Sequence, residues 1–120
     1  MIQRELSLYV VKAQVLSALA NPRRLEIVDI LARGEMTVSE LAVSMSLAQA
    51  ATSQHLAVMR MAGVVETRRA GTRVYYRLSN PRLATACREM SRVVVAMLVD
   101  QRERLRPVLQ ETDSAPVGAG

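Results

Sequence analysis

Cysteine, histidine and lysine each occur once in this 120-residue chain, as Cys87, His55 and Lys12, and each scarcity closes off a class of function. One cysteine cannot build an internal disulfide framework, so a reducing cytoplasm is the expected setting. A metal centre needs several thiolate, imidazole or carboxylate ligands converging on one ion, and no partner ligands lie near His55 in the sequence. Without clustered carboxylates or a glycine-rich phosphate loop there is no catalytic constellation either, so neither an enzyme nor a cofactor is expected. Long apolar runs are also missing. The longest, Val93 to Val99, falls far short of the roughly 20 residues that span a bilayer. The start, Met1-Ile2-Gln3-Arg4-Glu5, lacks the charged-then-apolar plan of a secretory signal. The expectation is a cytoplasmic protein with no membrane partner.

What is present is arginine and a sizeable apolar fraction. Half of the residues are hydrophobic, and a chain of this length buries on the order of two-thirds of its unfolded surface, enough for one core but not for two. The net charge of +5 and a pI near 10.3 rest almost wholly on Arg side chains. Such a balance implies a nucleic acid or another anionic partner.

The hydrophobic spacing reads mostly as helix. Leu6, Tyr9, Val10, Ala13 and Leu16 recur at helical intervals, predicting a first helix from about Glu5 to Leu19. Asn21-Pro22 starts a second, since Asn accepts from unbonded amides and Pro loses nothing in a first turn; it ends near Arg33-Gly34. Thr37-Val38-Ser39-Glu40 has the form of a capping box and opens a short third helix to about Met45. A fourth follows almost at once, from Gln49 to Ala62, which makes the pair a helix-turn-helix. Asn80-Pro81 repeats the cap-and-proline device and launches a long last helix to about Arg106, before Pro107. Residues 1–110 form one domain on this reading, and 111–120 a disordered tail.

The stretch from Leu47 to Ser79 carries most of the functional information. In its helix, Thr52, Leu56 and Met59 share one face at spacings of four and three, while Gln49, Ala50, Ser53, Gln54 and Ala57 stand opposite. A face of small residues and amides enters a major groove closely, and Gln donates and accepts together at an adenine edge. Next come two β-rich runs, Val64 to Arg68 and Arg73 to Leu78, joined by a turn containing Ala70-Gly71. Alternation places Val74, Tyr76 and Leu78 on one face and Arg73, Tyr75 and Arg77 on the other. Arg68, Arg69 and Arg73 crowd fixed positive charge around the turn, and guanidinium groups bind phosphate oxygens bidentately. Arg69 and Arg73, which flank the turn, are expected on phosphates or in a minor groove. The expected DNA-binding set is therefore Gln49, Ala50, Ser53, Gln54, Arg68, Arg69 and Arg73, with His55 as a helix-packing or phosphate-contact residue.

The run Ser53-Gln54-His55-Leu56, then Met59-Arg60, Ala62-Gly63-Val64-Val65, Arg68-Arg69, Gly71 and Tyr75-Tyr76-Arg77-Leu78 resembles the arsenic-repressor (ArsR-type) winged-helix transcriptional regulators. Leu19 to Val28 is similar to that family's second-helix opening, so the resemblance covers roughly residues 10 to 100. It implies a mainly helical winged helix-turn-helix with a small β-hairpin, paired through its first and last helices. It also implies a regulator, a repressor released by a signal, that sits on an inverted-repeat operator in double-stranded DNA. Two departures stand out. Ala48 occupies a position where the family more often has a serine cap, and Ala42 and Ser44 stand where its arsenic-binding thiolates would be. The last helix carries no His, so no high-affinity metal site is expected.

The last helix speaks for assembly by itself. Ser91 to Val99, SRVVVAMLV, is apolar nearly all round and would leave a large exposed patch on a monomer. Leu83, Cys87, Met90, Val94 and Met97 follow four-three spacing. With Leu6 and Tyr9 of the first helix, Leu83, Met90, Val94 and Met97 are the expected homodimer interface; an internal core stripe is the other reading. Cys87 is either a buried packing thiol or, with Arg82, Arg88 and Arg92 favouring thiolate, a redox group. A winged-helix protein-interaction module without specific DNA binding is the competing function.

Overall fold

Most helices in this chain begin where a short polar side chain takes up amides that a first turn leaves unbonded. Ser7 accepts from the Val10 amide at 3.3 Å, Asn21 from Arg23 and Arg24 at 2.9 and 3.2 Å, and Asn80 from Arg82 at 2.9 Å. Thr37 and Glu40 form the full reciprocal capping box, at 3.2 and 3.0 Å. The structure, a computed structural model, describes residues 7–114, with side chains through residue 111. In order they form helices α1 (Leu8–Leu19), α2 (Pro22–Leu31), α3 (Val38–Met45) and α4 (Gln49–Met61), strands β1 (Val65–Ala70) and β2 (Arg73–Leu78), and helix α5 (Arg82–Ser114). The chain divides into two compact units, residues 1–85 and 86–120.

In the first unit the helices close over a core of Leu19, Ile27, Val28, Leu31, Leu41, Met45, Leu56, Met59, Val64, Val65 and Leu78, all buried. Each such side chain contributes roughly 1.5–3 kcal/mol of transfer free energy on burial, so the core fixes how α2, α3 and α4 meet. The strands pair antiparallel, from Val65 opposite Leu78 to Ala70 opposite Arg73. Val65 and Leu78 root the hairpin in the core. Met36, between α2 and α3, adds a two-bond backbone bridge to Tyr76, at 3.1 and 2.7 Å.

Two local expectations need correction. Ala70 is not in the turn: it pairs with Arg73, and the link is Gly71-Thr72. Gly71 has φ of +61°, the left-handed conformation that a two-residue hairpin link demands, so pairing runs to the last residue before it. The last helix does not stop before Pro107 but runs through it for 33 residues to Ser114. Its first four residues beyond 110 therefore belong to the helix and not to a tail. Proline removes one backbone bond and crowds one carbonyl, but Arg104, Leu105 and Arg106 before it and Leu109 and Gln110 after it favour helix on both sides. Ion pairs between Arg104 and Asp100, at 3.2 Å, and between Arg106 and Glu103 brace the turns just before it.

The second unit is the body of α5. From Arg88 to Glu111 every side chain is exposed, including Met90, Val93, Val94, Val95, Met97, Leu98 and Val99. Among the described residues no helix is long and apolar enough to cross a membrane.

Candidate nucleic-acid interface

Helix α4 is seated by the face that its spacing marks as apolar. Thr52, Leu56 and Met59 are completely buried, and the Thr52 hydroxyl donates to the Ala48 carbonyl at 3.0 Å, so this buried polar group is satisfied without leaving its helix. Ala48 supplies no side-chain cap; that internal bond ties down the first turn instead. The opposite face, Gln49, Ala50, Ser53, Gln54 and Ala57, is exposed. The sharp link from α3 runs through Ser46 at φ +52°, closed by the Leu47 amide donating to the Ala42 carbonyl at 3.0 Å. Ser39 on α3 donates its hydroxyl to Gln49 Oε1 at 3.2 Å, which orients that amide and leaves its NH2 group to donate outward.

His55 is half-buried on α4 and accepts at Nδ1 from Arg24 Nε at 3.2 Å. An Nδ1 that accepts requires the ring proton on Nε2. Burial, then the charges of Arg24 and Arg23, hold its pKa below the ordinary value, so His55 is a neutral donor. Arg24 also donates to the Ala18 carbonyl at 3.4 Å, and Arg23 to Glu26 at 3.1 Å and to the Met45 carbonyl at 3.5 Å. These two arginines tie α2 to α1, to the end of α3 and to α4. Sequence reasoning did not give them that role. The one hint is their place right after the Asn21-Pro22 cap, where side chains of a first turn reach outward.

The wing sorts its arginines by face. On one face Arg69 lies beside Val74; on the other, Arg68 pairs with Tyr75 and Glu66 with Arg77. Arg68 is held by both carboxylate oxygens of Glu35, with Nε to Oε2 at 3.1 Å, and its guanidinium lies 4.9 Å from the Tyr75 ring centre. The Arg68 hydrogen bond holds the Glu35 pKa below its ordinary value. Arg77 meets Glu66 at 2.8 Å. Among the described residues Arg69 and Arg73 have no ion-pair partner, and they stand nearest the Gly71-Thr72 tip. Arg73 also borders a groove of about 510 Å³ lined by Thr37, Val38, Ser39, Glu40, Thr72 and Val74. Glu35 is the residue that sequence reasoning missed: it lies 33 positions from Arg68, and no local pattern links them.

The structure thus gathers Gln49, Ala50, Ser53 and Gln54 on one exposed face, in the same unit as the wing. His55 turns toward Arg24, and Arg68 is engaged by an acid. Of the expected dimer residues, Leu83 is half-buried, while Tyr9, Met90, Val94 and Met97 are 81%, 57%, 44% and 56% exposed. Leu6 lies outside the described residues. Cys87 is half-buried on α5. Among the described residues no group of three or more His, Cys, Asp or Glu side chains is placed to hold a metal ion.

An α3–turn–α4 unit followed by a basic hairpin is a winged helix-turn-helix, and known proteins share it. The profile of the family described as "Bacterial regulatory protein, arsR family" matches residues 21–67. The nodulation protein NolR of Rhizobium meliloti is 46% identical over 70 residues, 58% of this chain and 57% of that protein. A biofilm growth-associated repressor of Agrobacterium fabrum is 42% identical over 72 residues, 60% of this chain and 62% of that one. The homodimeric winged helix-turn-helix DNA-binding domain of a Mycobacterium bovis protein superimposes with a TM-score of 0.65 at 33% identity, covering 86% of this chain and 90% of that one. The chain spans 32% of one regulator from Mycobacterium tuberculosis and less than two-thirds of the two curated relatives above. With fold, motif order and sequence in agreement, the chain belongs to the ArsR family of bacterial regulatory proteins.

Proposed function

We propose that this chain is a dimeric, sequence-specific DNA-binding transcriptional regulator that represses from an inverted-repeat operator until a signal releases it. The observation that carries the reading is the exposed Gln49, Ala50, Ser53 and Gln54 face of α4, backed by a fully buried Thr52, Leu56 and Met59. A rigidly seated helix with small residues and amides outward suits a major groove. In this reading Gln54 meets a base edge, Ser53 and the first turn meet bases or phosphates, and Arg69 and Arg73 grip the backbone at the wing tip. His55, neutral and fixed by Arg24, serves packing first.

Dimerisation has its own support. Leu8, Tyr9 and Leu16 on α1, and Met90, Val94, Met97 and Leu98 on α5, are each at least 44% exposed. Apolar surface on this scale marks an association site, and the Mycobacterium bovis neighbour is homodimeric. Two copies related by a two-fold axis present two reading helices, which calls for a palindromic site. A dimer on a promoter represses by occupying it, the role in the name of the Agrobacterium relative.

A gel-shift screen of genomic fragments at two salt concentrations tests the reading. The expected outcome is a shift of a few fragments that survives competition by random duplex, with an inverted repeat in each. Uniform shifting of all fragments, or of none, would leave a winged-helix interaction module as the better description.

A further inference from the structure

Four arginines occupy the wing, but their charges are not equally available. Arg68 is bound through two oxygens of Glu35 and Arg77 is bound to Glu66 at 2.8 Å, whereas among the described residues neither Arg69 nor Arg73 makes a close ion pair, Arg73 acting on Glu40 only through its charge. The Glu35–Arg68 pair is not what holds the hairpin in place. Buried Val65 and Leu78 root it in the core, and two backbone bonds join Met36 to Tyr76. The pair is also open to water, with the Arg68 and Glu35 side chains 43% and 32% exposed, so it adds little to stability and its loss leaves the hairpin folded. A guanidinium on the outer face of a DNA-gripping hairpin is well suited to phosphate. A carboxylate set on it cancels that charge and adds repulsion toward an approaching backbone.

The geometry points to Glu35 as an internal competitor for DNA phosphate at Arg68, a residue that limits the sequence-independent grip of the wing and leaves backbone binding to Arg69 and Arg73. Glu35 acts through Arg68 and touches no base, so it sets specificity by lowering the common background against which base reading by α4 is measured. This inference rests on the DNA-binding function proposed above.

The test uses the full chain and a fluorescein-labelled 30-base-pair duplex of random sequence, with anisotropy titrations from 50 to 200 mM salt. Glu35→Gln keeps an acceptor for Arg68 but removes the competing charge. It should bind more tightly at low salt, with a log–log salt slope steeper by about 0.9 for each wing engaged. One added contact then makes the loss of affinity across that fourfold salt range larger by about 3.5-fold. Adding Arg68→Gln to Glu35→Gln should restore the wild-type slope. Arg68→Gln alone should leave that slope unchanged, because the masked arginine releases no counterion. An unchanged slope in a folded Glu35→Gln protein, a steepened slope that survives removal of Arg68, or a slope reduced by about 0.9 in Arg68→Gln alone would each overturn the competitor role while leaving DNA binding intact. If the wild type shows no salt-dependent binding to any duplex, the DNA-binding reading itself falls, and this inference with it.

Discussion

Arg24 on α2 donates its Nε–H to Nδ1 of His55 on α4 at 3.2 Å, across 31 positions of sequence. One hydrogen bond thereby fixes the tautomer of the only histidine and fastens α4 to α2. The bond exists only while Nδ1 is unprotonated, because an imidazolium has no acceptor and would set two cations side by side.

Stability should therefore depend on pH through His55. Burial and the neighbouring Arg24 and Arg23 hold its folded-state pKa below the ordinary value, so the unfolded chain binds that proton more readily. The contribution is full above the unfolded value of about 6.5 and is lost as pH falls through the lower folded value. Glu35 and Glu40, held below their ordinary 4.5 by the Arg68 and Thr37 hydrogen bonds, give way only at lower pH. Urea midpoints measured from pH 7.5 down should begin to decline just under pH 6.5 in the wild type. The decline should be absent there in His55→Gln; the same onset in both proteins would show that another group titrates.

Gln54 is the residue proposed to meet a base edge. Its replacement by Ala should cost about 1–3 kcal/mol on the operator and far less on random duplex. Quantitative footprinting on both DNAs checks this, and equal losses would remove Gln54 from the base-contacting set. Gln49, with Oε1 occupied by Ser39, should show a smaller effect in the same assay.

At the wing tip, Arg69→Ala and Arg73→Ala should weaken binding to all sequences alike. Each should flatten the salt slope by about 0.9 for every wing in contact. Anisotropy titrations over a salt series measure this directly. If neither variant changes the slope, the tip does not reach the backbone.

Val94→Glu tests the assembly. A carboxylate placed in an apolar interface must be desolvated without a partner, so the variant should sediment as a monomer at micromolar concentration. It should also lose selective binding, since a single reading helix no longer spans half-sites about 34–36 Å apart. A folded monomer with undiminished operator affinity would exclude α5 from the interface.

Much of this protein was legible in its sequence because the relevant physics is local. The caps at Asn21, Thr37 and Asn80 are bonds between residues two or three apart. The division of α4 into a buried Thr52, Leu56 and Met59 and an exposed Gln49, Ser53 and Gln54 follows from helical periodicity, and the alternation of the wing follows from the strand period of two. Pro107 is a local signal that misled, since one missing backbone bond is outweighed by helix-favouring neighbours on both sides.

What the sequence could not show is which charges are spent. Arg68, Arg69, Arg73 and Arg77 are the same side chain in one short hairpin, equally suited to phosphate on paper. Register put Arg68 on the outer face, and the Met36–Tyr76 bridge brought Glu35 against it from 33 positions away. His55 likewise acquired its tautomer from an arginine on another helix. Ion pairs and buried hydrogen bonds depend on separations of a few ångströms between residues far apart in the chain, and only the packing of the core around Ile27, Leu41 and Leu56 sets those separations.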